Sequence, residues 1–181
     1  MKPAFTYEPT QVLLFMGVSG AGKTVAGRFF AEKLKWKFLD ADDFHPPENI
    51  QKMQSGIPLE DVDRALWLME LRTQIKHHLD ENIPLLMAVS ALKASYREVL
   101  SREDQRVRFI YLKAEIETIR EKLESRSGHF MPASLLQSQF DTLEEPTEKQ
   151  ALIIPAFMPP PSMFEKVMAH IFPSSSSANF W

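Results

Sequence analysis

Short runs that are almost wholly apolar alternate along this chain with longer stretches in which apolar residues recur at helical spacing. The runs cover residues 12–16, 38–39, 85–89, 108–112 and 151–154. Apolar without the polar–apolar alternation of a half-exposed strand, they predict strands buried on both faces. Between them, residues 24–35 place Ala26, Phe29, Phe30 and Leu34 on one helical face, and residues 65–82 do the same with Leu68, Leu71, Ile75 and Leu79. Shorter helices are predicted over 49–55, with Gly56 placed to end it, and over 116–125, 134–140 and 163–171. Strands alternating with helices imply right-handed crossovers, hence an α/β fold with a five-stranded parallel sheet and helices on both faces. Residues 1–172 read as a single domain. The proline-rich stretch 155–161 reads as a loop, and 173–181, with four consecutive serines, as a disordered tail.

Composition narrows the picture by exclusion. The 181 residues suit one core, and 44% hydrophobic with 25% charged residues is ordinary for a globular chain. A formal net charge of −3 gives no electrostatic pull toward nucleic acid or an anionic membrane. No run approaches the length of a membrane span, and residues 1–10 lack the form of a secretory leader. There is no cysteine, which excludes disulfides and thiolate metal sites. A cytoplasmic protein is the expectation.

The strongest chemical signal is Gly17-Val18-Ser19-Gly20-Ala21-Gly22-Lys23-Thr24, a full match to G-x-x-x-x-G-K-[ST] between an apolar strand and an amphipathic helix. Glycines let backbone N–H groups curl around a β-phosphate, and the helix N-terminus adds partial positive charge. Lys23 can span the β- and γ-phosphates, and the Thr24 hydroxyl can ligate Mg²⁺. A chance glycine turn would lack both flanks. The third apolar run ends in Ser90, where many P-loop ATPases carry a metal-organising acid. Motor ATPases and GTPases therefore fit less well than small-metabolite kinases.

Asp40, Asp42 and Asp43 follow the second run, at the strand ends where ligands of open parallel sheets sit. Asp42 is the candidate to orient an attacking hydroxyl and accept its proton; Asp40 suits a water-bridged Mg²⁺ contact. Asp43 can cap the next turn. Taken alone, all three could be solvated turn residues.

Several segments now converge: 16–24; Leu39-Asp40-Ala41-Asp42 with His45-Pro46; Asn49-Ile50-Gln51-Lys52-Met53; Asp61, Asp63-Arg64 and Trp67-Leu68; Ser90-Ala91-Leu92-Lys93 with Tyr96-Arg97; Arg126-Ser127-Gly128-His129-Phe130; and Gln139-Phe140-Asp141-Thr142-Leu143-Glu144 with Pro146. Over residues 12–146 the chain resembles the P-loop gluconokinases. The resemblance implies ATP and D-gluconate as substrates, 6-phosphogluconate and ADP as products, Mg²⁺ as cofactor, a fold like that of shikimate and nucleoside monophosphate kinases, and a homodimer. It also implies a mobile lid over about residues 122–140. In that lid Arg126 would neutralise phosphate charge, and Lys122 and His129 fall in the same polar segment. Basic residues stabilising an exposed helix end are the plainer account.

The remaining candidates are read against blander accounts. Arg64 can fork onto the gluconate carboxylate or simply pair with Asp61 and Asp63. Lys93 and Arg97, four apart, would share a helical face toward the acceptor or the phosphoryl group, or a solvated one. His45 can bond a sugar hydroxyl or serve the turn. Trp67 reads as core beside the acceptor pocket, and His77, His78 and His170 are assigned no function. The stretch 155–161, where the family cups adenine, is unusually proline-rich here. The alternatives in function are a kinase for another sugar acid or polyol, and an ATP-binding regulator without turnover.

Overall fold

A computed structural model describes residues 12–124 and 133–172. In chain order the elements are β1 (Val12–Met16), α1 (Lys23–Leu34), β2 (Lys37–Asp40), a 3-10 turn (Ala41–Phe44), α2 (Pro47–Gln54), α3 (Asp61–Asp80), β3 (Leu85–Val89), α4 (Ala94–Ser101), β4 (Val107–Lys113), α5 (Ile116–Glu124), α6 (Ala133–Thr142), β5 (Leu152–Pro155) and α7 (Pro160–Ile171). The five strands form one sheet in the order β2-β3-β1-β4-β5, every pair parallel. The chain crosses from one side of β1 to the other, which makes the carboxyl end of β1 the switch point where ligands of such sheets bind.

The apolar runs are continuous because the sheet is covered on both faces. Val12, Leu14 and Met16 share one core with Leu85, Met87 and Val89 under α3 and α4. Leu13, Phe15 and Leu86 point the other way, toward α1, α5, α6 and α7. There Phe30 stacks edge-on against Phe15 and Phe164, each at 4.9 Å between ring centres. On that face α1 lies hard against β2: a Cβ built on Gly27 would come within 2.4 Å of the Phe38 ring.

Three elements differ from the sequence expectation. Helix α3 begins at Asp61 rather than 65, because Glu60 and Asp63 form a reciprocal capping box with the backbone. Helix α4 was expected only as a helical spacing from 93 to 97; it begins one residue later and turns Tyr96, Arg97 and Leu100 inward. Pro160 and Pro161 are not loop but the first turn of α7, where a missing N–H costs nothing.

Candidate active site

The phosphate loop is fixed by backbone crowding. Gly17 has φ 140°, and a Cβ there would stand 2.8 Å from the Leu112 carbonyl oxygen, so no other residue fits. Its N–H donates to Ser90 O at 3.2 Å, tying the loop to the end of β3. The loop turns through Gly20 and Gly22, both at positive φ, into α1. Lys23 Nζ donates to Val18 O at 2.9 Å. Burial pulls the Lys23 ammonium below its ordinary pKa, while Asp42 and Asp40 oppose that shift.

Thr24 and the acids meet in front of this loop. Thr24 Oγ1 donates to Asp40 Oδ2 at 2.8 Å, and Asp40 Oδ1 accepts from Asp42 N at 3.2 Å, capping the 3-10 turn. Asp42 reaches solvent, yet the protein around it strips enough water to push its carboxyl above the ordinary value. Lys23 pulls the other way, and Asp40 and Asp43 add to the rise. Trp67, fully buried on α3, holds the turn from behind through Nε1–H to Ala41 O at 2.7 Å. It is therefore more than the packing residue the sequence suggests. His45 stacks on Trp67 with ring centres 4.5 Å apart and planes at 10°. Its Nδ1 lies 3.4 Å from Asn49 Nδ2. Burial, with help from the Arg64 charge, lowers the His45 pKa to about 4, so the ring is neutral at neutral pH.

Beside the acids lies a cleft of about 430 Å³ lined by Leu59, Asp61, Arg64 and Lys93 among others. Lys93 Nζ grips both oxygens of Asp61, at 2.7 and 2.8 Å, and the Tyr96 hydroxyl donates to the same carboxylate. Asp63 is taken by Lys52 at 2.7 Å. Arg64 consequently does not form the local ion pair that its sequence neighbourhood allows. Its Nη1 donates to Leu59 O at 2.6 Å and its guanidinium lies over the Tyr96 ring at 5.7 Å. Among the described residues no carboxylate stands within ion-pair distance of it.

Arg97 does not join this group, which corrects the sequence reading. Lys93 is the extended N-cap of α4, outside the helix, so the four-residue spacing does not set the two side by side. Arg97 is buried and its Nη1 donates to Ala91 O and Leu92 O, each at 3.1 Å. It lines a separate groove of about 550 Å³ where β4 and β5 begin, away from the phosphate loop. Its part is structural: it braces a turn in which Ala91 has φ 44°.

Sequence reasoning missed the polar contacts of three residues. Asn49 is buried and donates to Asp63 O at 2.8 Å, joining α2 to α3. Glu144 N donates to Leu92 O at 2.9 Å, and its carboxylate accepts from Ala94 N at 2.7 Å. Gln139 Oε1 accepts from Ser19 N at 2.6 Å. All three lie in segments that carry the resemblance, but nothing in their spacing says which backbone group they reach. In the turn after β5, Ala156 N donates to Lys113 O at 2.7 Å, and Lys122 Nζ stands 4.2 Å from the Phe157 ring centre. Arg126 and His129 lie outside the described residues, as do Gly128 and the stretch 173–181.

Comparison with known proteins agrees with this geometry. Residues 19–152 match the family model described as shikimate kinase. The thermosensitive gluconokinase of Escherichia coli K12 is 43% identical over 141 residues, covering 78% of this chain and 75% of that protein. The crystal structure of a gluconokinase from Sinorhizobium meliloti 1021 superposes with a TM-score of 0.79 at 36% identity, covering 90% of this chain and 92% of that one. An unliganded sugar kinase from Janibacter sp. HTCC2649 gives 0.83 at 39% identity, covering 94% and 100%. With a parallel sheet around a phosphate loop, acids at the end of β2 and relatives of this likeness, the chain belongs to the gluconokinases, within the kinase family that the shikimate kinase model describes.

Proposed function

We propose that the protein transfers the γ-phosphoryl group of ATP to the 6-hydroxyl of D-gluconate, giving 6-phosphogluconate and ADP. One observation supports the choice of acceptor within the family: Arg64 lines a cleft with Lys93, and because Asp61 is held by Lys93 and Asp63 by Lys52, the guanidinium makes no direct ion pair among the described residues. A guanidinium so placed is matched by a carboxylate on the substrate.

In the reaction the acceptor O–H bond breaks as a new O–P bond forms and the bond to ADP opens. Asp42 takes the proton; its raised pKa makes it a stronger base than an ordinary aspartate. Lys23 and the loop N–H groups meet the charge that spreads over the phosphoryl oxygens. The oxygens of Thr24 and Asp40 suit a hard cation, and no cluster of three acids or histidines among the described residues offers an all-protein metal cage. Mg²⁺ would be held by Thr24 directly and Asp40 through water, with phosphate and water completing its shell, and would supply charge neutralisation. Arg64 holds the gluconate carboxylate and Lys93, kept in place by Asp61, orients the chain. Neutral His45 offers a hydrogen bond to a hydroxyl. Arg126 and His129, in a lid over about 122–140, would close on the phosphates, as the family resemblance implies.

The same reading takes residues 1–172 as one domain in a cytoplasmic homodimer. Among the described residues no helix is long and apolar enough to cross a membrane. The dimer is supported by an exposed apolar stripe on α3, namely Val62, Leu66 and Met69. An antiparallel pairing of two α3 helices would set the acidic first turn of one against His77 in the last turn of the other.

The test is ADP release with Mg²⁺-ATP against D-gluconate, other sugar acids, polyols and shikimate. Turnover concentrated on D-gluconate is the expected result. Preference for another acceptor would keep the kinase and sink the gluconate assignment, and ATP binding without any turnover would leave a regulator.

A further inference from the structure

One peptide unit of the phosphate loop is gripped at both ends. The Val18 carbonyl accepts from Lys23 Nζ at 2.9 Å, and the N–H of the next residue, Ser19, donates to Gln139 Oε1 at 2.6 Å. Lys23 belongs to the helix that the loop opens. Gln139 comes from α6, 120 residues further along. An N–H can be met only by the amide oxygen, so chemistry fixes which end of Gln139 makes this contact. Its Nε2 remains a donor with no protein acceptor among the described residues.

Gln139 lies at the end of the stretch assigned above to a lid, where α6 is anchored to the core. Leu136 on α6 is buried in the core of the α1 face. Beyond the helix, Glu144 is bonded to Leu92 O and Ala94 N. Glu145 accepts from Tyr111 Oη at 3.2 Å and from Lys113 Nζ at 2.7 Å. The segment after α6 is thus tied to the turn after β3 and to the end of β4, at the same end of the sheet as the loop.

Its position tells which phosphate it would meet. The amides at the start of α1 serve the β-phosphate, whereas the lysine tip reaches between β and γ. Gln139 holds the peptide whose carbonyl holds that tip, so its amide lies at the γ side of the loop. A neutral amide suits this place, since a carboxylate there would repel the nucleotide.

We propose that Gln139 is a positioning residue that reads the terminal phosphate of ATP. Its oxygen fixes the Val18–Ser19 peptide and its nitrogen donates to a γ-phosphate oxygen. This rests on the reading of the chain as an ATP-dependent kinase.

The experiment is calorimetric binding of ADP and of a non-hydrolysable ATP analogue to the wild type, Gln139→Ala and Gln139→Glu, with thermal melts to verify folding. Gln139→Ala should weaken the analogue about tenfold and ADP by less than about twofold, the size of one lost hydrogen bond to a charged group. Gln139→Glu keeps an acceptor for Ser19 but turns an anionic oxygen to the phosphate, and should weaken the analogue more than Ala does. Equal losses for both nucleotides, repaired by Glu, would make Gln139 a support of the loop and overturn the proposal. No change in either affinity would overturn it too. If the alanine variant melts early, Gln139→Met fills the space without the amide and gives the same contrast. No acceptor is needed, so failure of gluconate turnover stays distinguishable from failure here; a wild type that binds neither nucleotide would sink the underlying reading instead.

Discussion

At the scale of single residues, the proposed roles divide into groups that act and groups that hold them. Asp42 stands free of any side-chain ion pair among the described residues, with its carboxyl raised, whereas Asp40 is committed to Thr24 and to the Asp42 backbone. Asp42→Asn should therefore lower kcat by about 10²–10⁴-fold while ATP affinity, read by calorimetry, moves little. Arg64 and Arg97 make the sharper contrast. Arg64→Ala should raise the KM for gluconate by about 10–100-fold through loss of a charge-assisted bond. Arg97→Leu should leave that KM nearly unchanged but cost about 1–3 kcal/mol of stability, since two buried carbonyls lose their donor. Steady-state kinetics and denaturant melts read both. His45 gives a pH signature. Its folded pKa, about 4, lies below the ordinary 6.5, so its contribution to stability is fully present above 6.5 and is lost as pH falls from 6.5 toward 4. His45→Phe keeps a ring on Trp67 without the titration. Melts from pH 7 to 4 should show the variant losing less stability than the wild type across that window. The phosphate loop, and the place of Asp40 and Asp42 at the end of β2, were legible in the sequence, because phosphate chemistry leaves little choice of residues in such a loop. The role of Arg97 was not, because an N-cap at Lys93 breaks the helical spacing without changing a letter of the sequence.

At the scale of elements, burial on both faces made the strands the plainest feature of the sequence. Five largely apolar runs became five strands, with ends shifted by at most one residue. The bounds of helix α4 escaped because it is only eight residues long and one of its three inward positions, Arg97, is charged, which leaves no apolar stripe. The turn after β2 was expected, and its Asp40–Asp42 cap is local, but its tertiary anchor, from Trp67 to Ala41, was not legible. Close packing between elements was invisible as well. Gly27 reads as a neutral helix position, yet it is what lets α1 lie on Phe38. Gly27→Ala raises helix propensity but forces the Phe38 ring to move. The packing term should win, with a net loss of about 1–3 kcal/mol in chemical denaturation. A gain in stability would show that β2, an edge strand, shifts outward to make room.

At the scale of the whole molecule, fold class and strand number followed from the alternation of runs, but strand order did not, since no local pattern says which strands are neighbours. The outer apolar stripe of α3 was also hidden, because Val62, Leu66 and Met69 lie among charged residues, away from the leucine face that marks the helix. If that outer stripe joins two copies, Met69→Glu should convert a dimer to a monomer in sedimentation, with the melting profile of each chain preserved; an unchanged mass would move the interface elsewhere. The strand order has a further consequence, for synthesis. β1 pairs with β3 on one side and β4 on the other, so the first strand to leave the ribosome must wait for residue 113 before both of its edges are closed. A nascent chain stopped short of β4 carries the phosphate loop and its acids, yet displays a bare, fully apolar strand edge. Such an intermediate is prone to stick to its neighbours. Chaperone protection during elongation is then needed most between the emergence of β1 and that of β4, and is relieved when β4 docks.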